Sequence, residues 1–136
     1  MNQQEVASIL EQDILNRVKV MFDLLPSNLT KENKDKCADI CRGVEQLTTE
    51  AFAEADHLGI RDFFSGWRRV LIPYWSMTYG LTNAYEKGFT WDAFLDYALE
   101  CNCSKIEKRN NYNRPSFAIL NKHNNPEFVV ALEKED

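Results

Sequence analysis

Four cysteines in two close pairs, Cys37-x₃-Cys41 and Cys101-x-Cys103, are the first residues whose type and spacing could do chemistry. Four thiolates can close a tetrahedral zinc site, and positions four apart on one helix face could both reach the metal. Structural zinc prefers Cys-x₂-Cys knuckles, however, and neither pair has that spacing. Cys37 and Cys41 also fall on an apolar stripe, where cysteine behaves as a small hydrophobe. The expectation is four packed or free thiols and no metal. Glu54-x-x-His57 has the spacing of a carboxylate di-iron bundle, which needs two such motifs and two further glutamates. The chain has only two histidines, and Leu120 stands three residues before the other one, His123. A nucleophilic Cys or Ser would need a histidine within hydrogen-bond reach and a third group to orient it. No G-x-S-x-G, phosphate-cradling glycine loop or H-E-x-x-H occurs. No catalytic residue and no cofactor is expected, and the chain is not expected to be an enzyme.

Residues suited to binding are more abundant. Eleven of the 16 aromatic residues lie between Phe63 and Tyr97. Phe63, Trp67, Tyr74, Leu81 and Tyr85 follow a helical spacing that packs inward. Trp75 and Tyr79 share a different face, as do Phe64 and Arg68 on the preceding segment. Trp, Tyr and Arg dominate interface energetics because each joins a large contact area to a polar handle. Phe64, Arg68, Trp75 and Tyr79 are therefore the expected partner-binding patch. A larger aromatic core is the competing reading. Glu45, Glu50, Glu54 and Asp56, with Asp92, Asp96 and Glu100, form acidic helix faces able to steer a basic partner into register.

The opposite polarity concentrates in residues 104–125, where Lys105, Lys108, Arg109, Arg114 and Lys122 face Glu107 alone. With Tyr112 available to stack on a base, Lys105, Lys108, Arg109 and Arg114 make the alternative, nucleic-acid contact. The positions of Ala84, Gly88 and Phe94, followed by a hairpin, suit a degenerate helix-turn-helix or winged-helix shape. The would-be recognition helix presents Asp92, Asp96 and Glu100 without a lysine or arginine, so it would repel phosphates.

The elements that must hold these residues follow from periodicity. Val6, Ile9/Leu10, Ile14, Val18, Met21/Phe22 and Leu25 recur every three or four residues, which predicts a helix ending near Pro26. Thr30 reads as the cap of a second helix, with a stripe from Cys37 to Leu58 and Gly59 at its C-cap. A third helix is expected over 60–71, broken by Pro73, and a fourth from Tyr74 to Lys87. Thr90 caps a fifth from Trp91, with Phe89 and Phe94 as a hydrophobic staple. SKIEKRNNYNRP reads as a polar loop. SFAIL and EFVVAL, separated by NKHNNP, read as a β-hairpin that must lean on the helices.

The fold class expected is therefore mainly α: a four- to five-helix domain with a C-terminal β-hairpin. One domain spans 1–136, with a helical part at 1–103, a basic loop at 104–115 and the hairpin at 116–133. A length of 136 residues, 44% hydrophobic and 27% charged, suits one globular domain. The N-terminus lacks a secretory signal and no apolar run could span a bilayer, which points to the cytoplasm. A net charge of −5 argues against a dedicated DNA binder. The leading functional expectation is a non-catalytic regulator or inhibitor that binds another protein, a type familiar among phage and plasmid proteins that block host machinery.

Overall fold

A computed structural model describes residues 1–64, 67–77, 80–83, 90–111 and 114–134; for 67–70, 75–77, 80–83, 111 and 133–134 it describes the backbone alone. Helix α1 (Gln3–Asp23) opens on Asn2, whose side-chain oxygen accepts the Glu5 N–H at 2.8 Å. Ala7, Ile14, Leu15, Val18 and Phe22 form its buried stripe. Before α2 (Lys34–His57), Thr30 and Asn33 bond reciprocally: the Thr30 hydroxyl accepts the Asn33 N–H, and the Asn33 side-chain Oδ1 accepts the Thr30 N–H. Thr30 is thus not the expected helix cap: it closes the turn before the helix, whose N-cap is Asn33 and which begins at Lys34. At the far end Gly59 sits at φ 69°, where a residue without a Cβ is unstrained. The Ile60 N–H returns to the Ala55 carbonyl and the Gly59 N–H to Asp56, closing a Schellman motif. Helix α3 (Trp91–Glu100) starts as expected, with the Thr90 hydroxyl accepting the Ala93 N–H at 3.1 Å.

Among the described residues, the two helices expected between α2 and α3 are not formed. Residues 60–71 hold a short 3₁₀ turn (Arg61–Phe63) and the start of strand β1 (Trp67–Met77). Strand β2 (Gly80–Asn83) follows it, where the first helix of the expected helix-turn-helix would begin; Ala84 and Gly88 lie outside the described residues. The reason is a degeneracy of period. Residues four apart share a face in a helix and equally in a strand, so the spacing of Trp67, Leu71 and Trp75 fits either. Long-range pairing decides. Leu71, Pro73 and Trp75 lie opposite Leu132, Val130 and Phe128 of strand β5 (Pro126–Lys134). Among the described residues β2 pairs with β1 from Met77↔Gly80 to Tyr74↔Asn83.

The basic loop expected at 104–115 is likewise mostly strand: β3 (Lys105–Asn111) pairs antiparallel with β4 (Arg114–Leu120). β3 is an edge strand that buries Ile106, and charged side chains are what a sheet edge needs to resist pairing with other chains. The expected C-terminal hairpin is seen as β4 and β5, turning through Asn121–Asn125 on the Asn121 side chain, which accepts the His123 and Asn125 N–H groups. The hairpin is part of a larger unit. Among the described residues the fold is α+β, with three α-helices and one five-stranded antiparallel sheet of order β2-β1-β5-β4-β3. This corrects the mainly helical, four- to five-helix expectation.

One sheet face carries the helices. The register places Phe117, Ile119, Phe128, Val130, Leu71 and Leu132 on that face. Phe22 of α1 meets Phe117 edge-on at 5.2 Å, and Phe94 of α3 meets Phe128 at 5.2 Å. α2 lies between α1 and α3 and touches both. Where α1 and α2 cross, Gly43 leaves room for Met21, whose Cε lies 2.6 Å from the point a Cβ would occupy. Because that atom ends a flexible side chain, Gly43→Ala should displace it cheaply. The gain of about 1 kcal/mol in helix propensity roughly offsets the shift. Thermal unfolding of G43A should change stability by less than about 1 kcal/mol, whereas G43L, which cannot fit, should be strongly destabilised.

Candidate functional site

The thiols are the most buried of the candidate groups. Cys37, Cys41 and Cys103 are buried and Cys101 is half-buried; all four are free. Burial pushes the Cys41 thiol well above its ordinary range, with Cys37 and Glu45 adding to the effect. Burial, then the Glu127 carboxylate, pushes Cys103 up to about 12. The Cys103 thiol donates to the Cys101 carbonyl. Among the described residues no group of three or more His, Cys, Asp and Glu is placed to hold a metal. Glu54 and His57 are both exposed on α2.

The acidic residues divide into two sets. Asp92 and Asp96 of α3 turn toward α2: Asp92 pairs with Arg42 at 2.9 Å and Asp96 with Lys34. The Asp96 bond raises the Lys34 pKa. Glu45 of α2 accepts a hydrogen bond from the Trp91 indole. These three acids brace α3 against α2, so the acidic face expected to include them is in part an internal seam. Being half-exposed, the Arg42–Asp92 pair adds little stability and serves mainly to orient the helices. Glu50 and Glu54 remain exposed on the outer line of α2.

The aromatic patch is rearranged. Phe64, expected to be exposed, is 7% exposed and packs against Phe52 at 5.4 Å. Phe63, expected to be core, is 45% exposed. The 3₁₀ turn explains the exchange, because its tighter winding swings adjacent side chains to different sides from those an α-helix would choose. Arg61 stacks its guanidinium over Phe52 at 4.4 Å, which pins the turn to α2. Arg68 and Trp75 lie on β1, not on helix faces, and Tyr79 lies outside the described residues.

Leu58, at the C-cap of α2, is 48% exposed and sits five residues before Phe63. Glu50, Glu54 and Leu58 follow each other at four-residue spacing, so one exposed line of α2 runs from two carboxylates to an apolar end, with exposed Asp62 beside Phe63. Sequence reasoning missed this pair; its one available signal was Gly59, the helix stop that forces the chain to turn here.

The basic residues do not form one surface. Lys105 and Arg109 stand on the sheet face away from the helices, and Lys108 on the helix side, where its Nζ donates to the Asp23 carbonyl at 2.8 Å. Glu107 lies between the first two and accepts from Arg109 at 2.7 Å. Arg114 is half-buried at the start of β4, and Tyr112 lies outside the described residues. Cations split between two faces, with a carboxylate interposed, make a poor track for a phosphate backbone.

Two open depressions lie among the described residues. One of about 540 Å³ is lined by Lys31, Lys34, Asp96, Leu99, Glu100 and Asn102. The other, about 330 Å³ and mostly apolar, lies between α1 and α2 at Asn16, Arg17, Val20, Met21 and Leu47. Among the described residues no helix is long and apolar enough to cross a membrane. No protein-family model matches the chain, and no curated protein and no solved structure gives a significant match. The class defined by the described residues is thus an α+β domain with three α-helices on one face of an antiparallel sheet.

Proposed function

We propose that this chain is a non-catalytic module that binds another protein, and that the contact is made at the C-terminal end of α2. The observation that carries this reading is the pair Leu58 and Phe63, 48% and 45% exposed on a turn held by the Schellman motif and by Arg61. Exposed apolar side chains on a rigid support lose little entropy on docking, which favours their use as anchors. Glu50, Glu54 and Asp62 surround them with negative charge. The complementary partner is a protein surface with an apolar pocket bordered by Lys or Arg, steered into place by charge and held by the anchors. The expected patch of Phe64 and its neighbours gives way to Phe63 because Phe64 is sealed against Phe52.

The test is affinity capture from native lysate by wild type, Phe63→Ser and Leu58→Ser. Wild type should retain a discrete protein after nuclease treatment. Each variant should bind it about 30-fold more weakly, the effect of a hot-spot residue, while circular dichroism and melting temperature stay near wild type. Capture unchanged in both variants, or abolished by nuclease, would refute the assignment.

A further inference from the structure

We propose that the outer face of α1 is a homodimer interface, on which a second copy of this chain packs antiparallel. This goes beyond the binding surface above and uses a different part of the molecule. Opposite its buried stripe, α1 presents Ile9, Val20 and Leu24, which are 58%, 63% and 61% exposed. Val6, Leu10 and Met21 flank them, half-buried. Single exposed apolar residues are ordinary on any surface. The order along this helix is not: two apolar groups, Val6/Ile9/Leu10 and Val20/Met21/Leu24, stand on either side of a charged centre, Asp13 and Arg17. Both charged residues are exposed, and neither has an ion-pair partner among the described residues.

A two-fold axis demands a patch that is complementary to itself. Here that condition is met in both chemistry and spacing. When a second α1 runs antiparallel with its midpoint opposite Leu15, Asp13 meets Arg17 of the partner subunit, and the symmetric pair forms with it. Leu10 then meets Val20 of the partner subunit, and Val6 meets Leu24 of the partner subunit. Three- and four-residue steps keep Val6, Leu10, Asp13, Arg17, Val20 and Leu24 on one side of the helix throughout. The depression of about 330 Å³ at Val20, Met21 and Leu47 lies where side chains from the other copy's N-terminal half would enter. Two opposite-charge pairs at the centre fix antiparallel alignment, since a parallel copy would set Asp13 against Asp13 of the partner subunit.

The charges make a sharp experiment possible. Sedimentation velocity of the full chain, from micromolar to millimolar concentration, should show reversible dimer formation. D13R places four cations at the centre and R17D four carboxylates, so each should weaken self-association by about tenfold or more. An equimolar mixture of D13R and R17D restores opposite charges across the interface and should form a heterodimer that neither forms alone. Val20→Glu should also give a monomer; its side chain is exposed, so folding should be kept. A wild type that stays monomeric throughout, single variants that associate like wild type, or a mixture that stays monomeric would each overturn the proposal.

Discussion

Phe94→Ala should cost about 3–5 kcal/mol, the range for removing a large ring from a closed core. The ring has no solvent exposure and meets Trp91 edge-on at 6.0 Å and Phe128 at 5.2 Å. Phe128 in turn touches Tyr97 of α3 at 5.9 Å, so one aromatic cluster bonds the third helix to the middle strand of the sheet. Domains of this size are stable by about 5–15 kcal/mol in all, so the loss is a large fraction of the whole. In urea unfolding the midpoint should fall steeply with little change in slope. An exposed control outside the proposed α1 interface, Leu58→Ala, should lie within about 0.5 kcal/mol of wild type. A cost below about 1 kcal/mol for F94A would mean that α3 is not seated on β5.

The second large effect concerns the thiols. With Cys103 pushed up to about 12 from an ordinary 9.0, its thiolate population at pH 8 is about a thousandth of that of an ordinary thiol. Cys41 and Cys37 are shifted the same way by burial. Alkylation of the native protein at pH 8 should therefore label the half-buried Cys101 first, with Cys103 slower by about three orders of magnitude and Cys37 and Cys41 also retarded, until denaturant exposes all four. The same shift has a stability consequence. A raised pKa means the native state keeps a proton that the unfolded chain releases. Stability from this source is complete below about pH 9 and is lost as pH rises toward 12. Alkaline unfolding should be less steep in Cys103→Ala than in wild type. Identical pH profiles, together with fast labelling of all four thiols in native conditions, would contradict the buried placement.

Much of the helical half was legible because its signals are local. Gly59 and Thr90 act on backbone groups within a few residues, and the stripes of α1 and α2 repeat over 21 and 24 residues, long enough to separate a helical period from any other. The described part of the 60–83 region was misread for the converse reason. Its bulky residues stand at intervals of four, which a strand satisfies as well as a helix, and nothing nearby says that Leu132, Val130 and Phe128 will pair with it. Strand pairing across some sixty residues leaves no mark at either end. Lys105–Asn111 was read as a loop because an edge strand needs few apolar residues: Ile106 faces the core while Lys105 and Glu107 are exposed and Arg109 is half-buried.

The candidate sites divide in the same way. Residue types alone established that the cysteines on the α2 stripe pack as hydrophobes, that Thr90 starts a helix, and that the chain lacks the familiar catalytic motifs. Which charges remain available to a partner was decided only by tertiary structure. Asp92 and Asp96 look like a free acidic face until α3 is laid beside Lys34 and Arg42, 62 and 50 residues away along the chain. Phe63 and Phe64 exchange places for a similar reason: adjacent rings have equal claims on the core until the neighbouring Phe52 and Arg61 take one of them. Local hydrogen bonds act over a few residues and can be read from order alone. Burial and charge neutralisation depend on which surfaces meet, and that is set when distant segments pack.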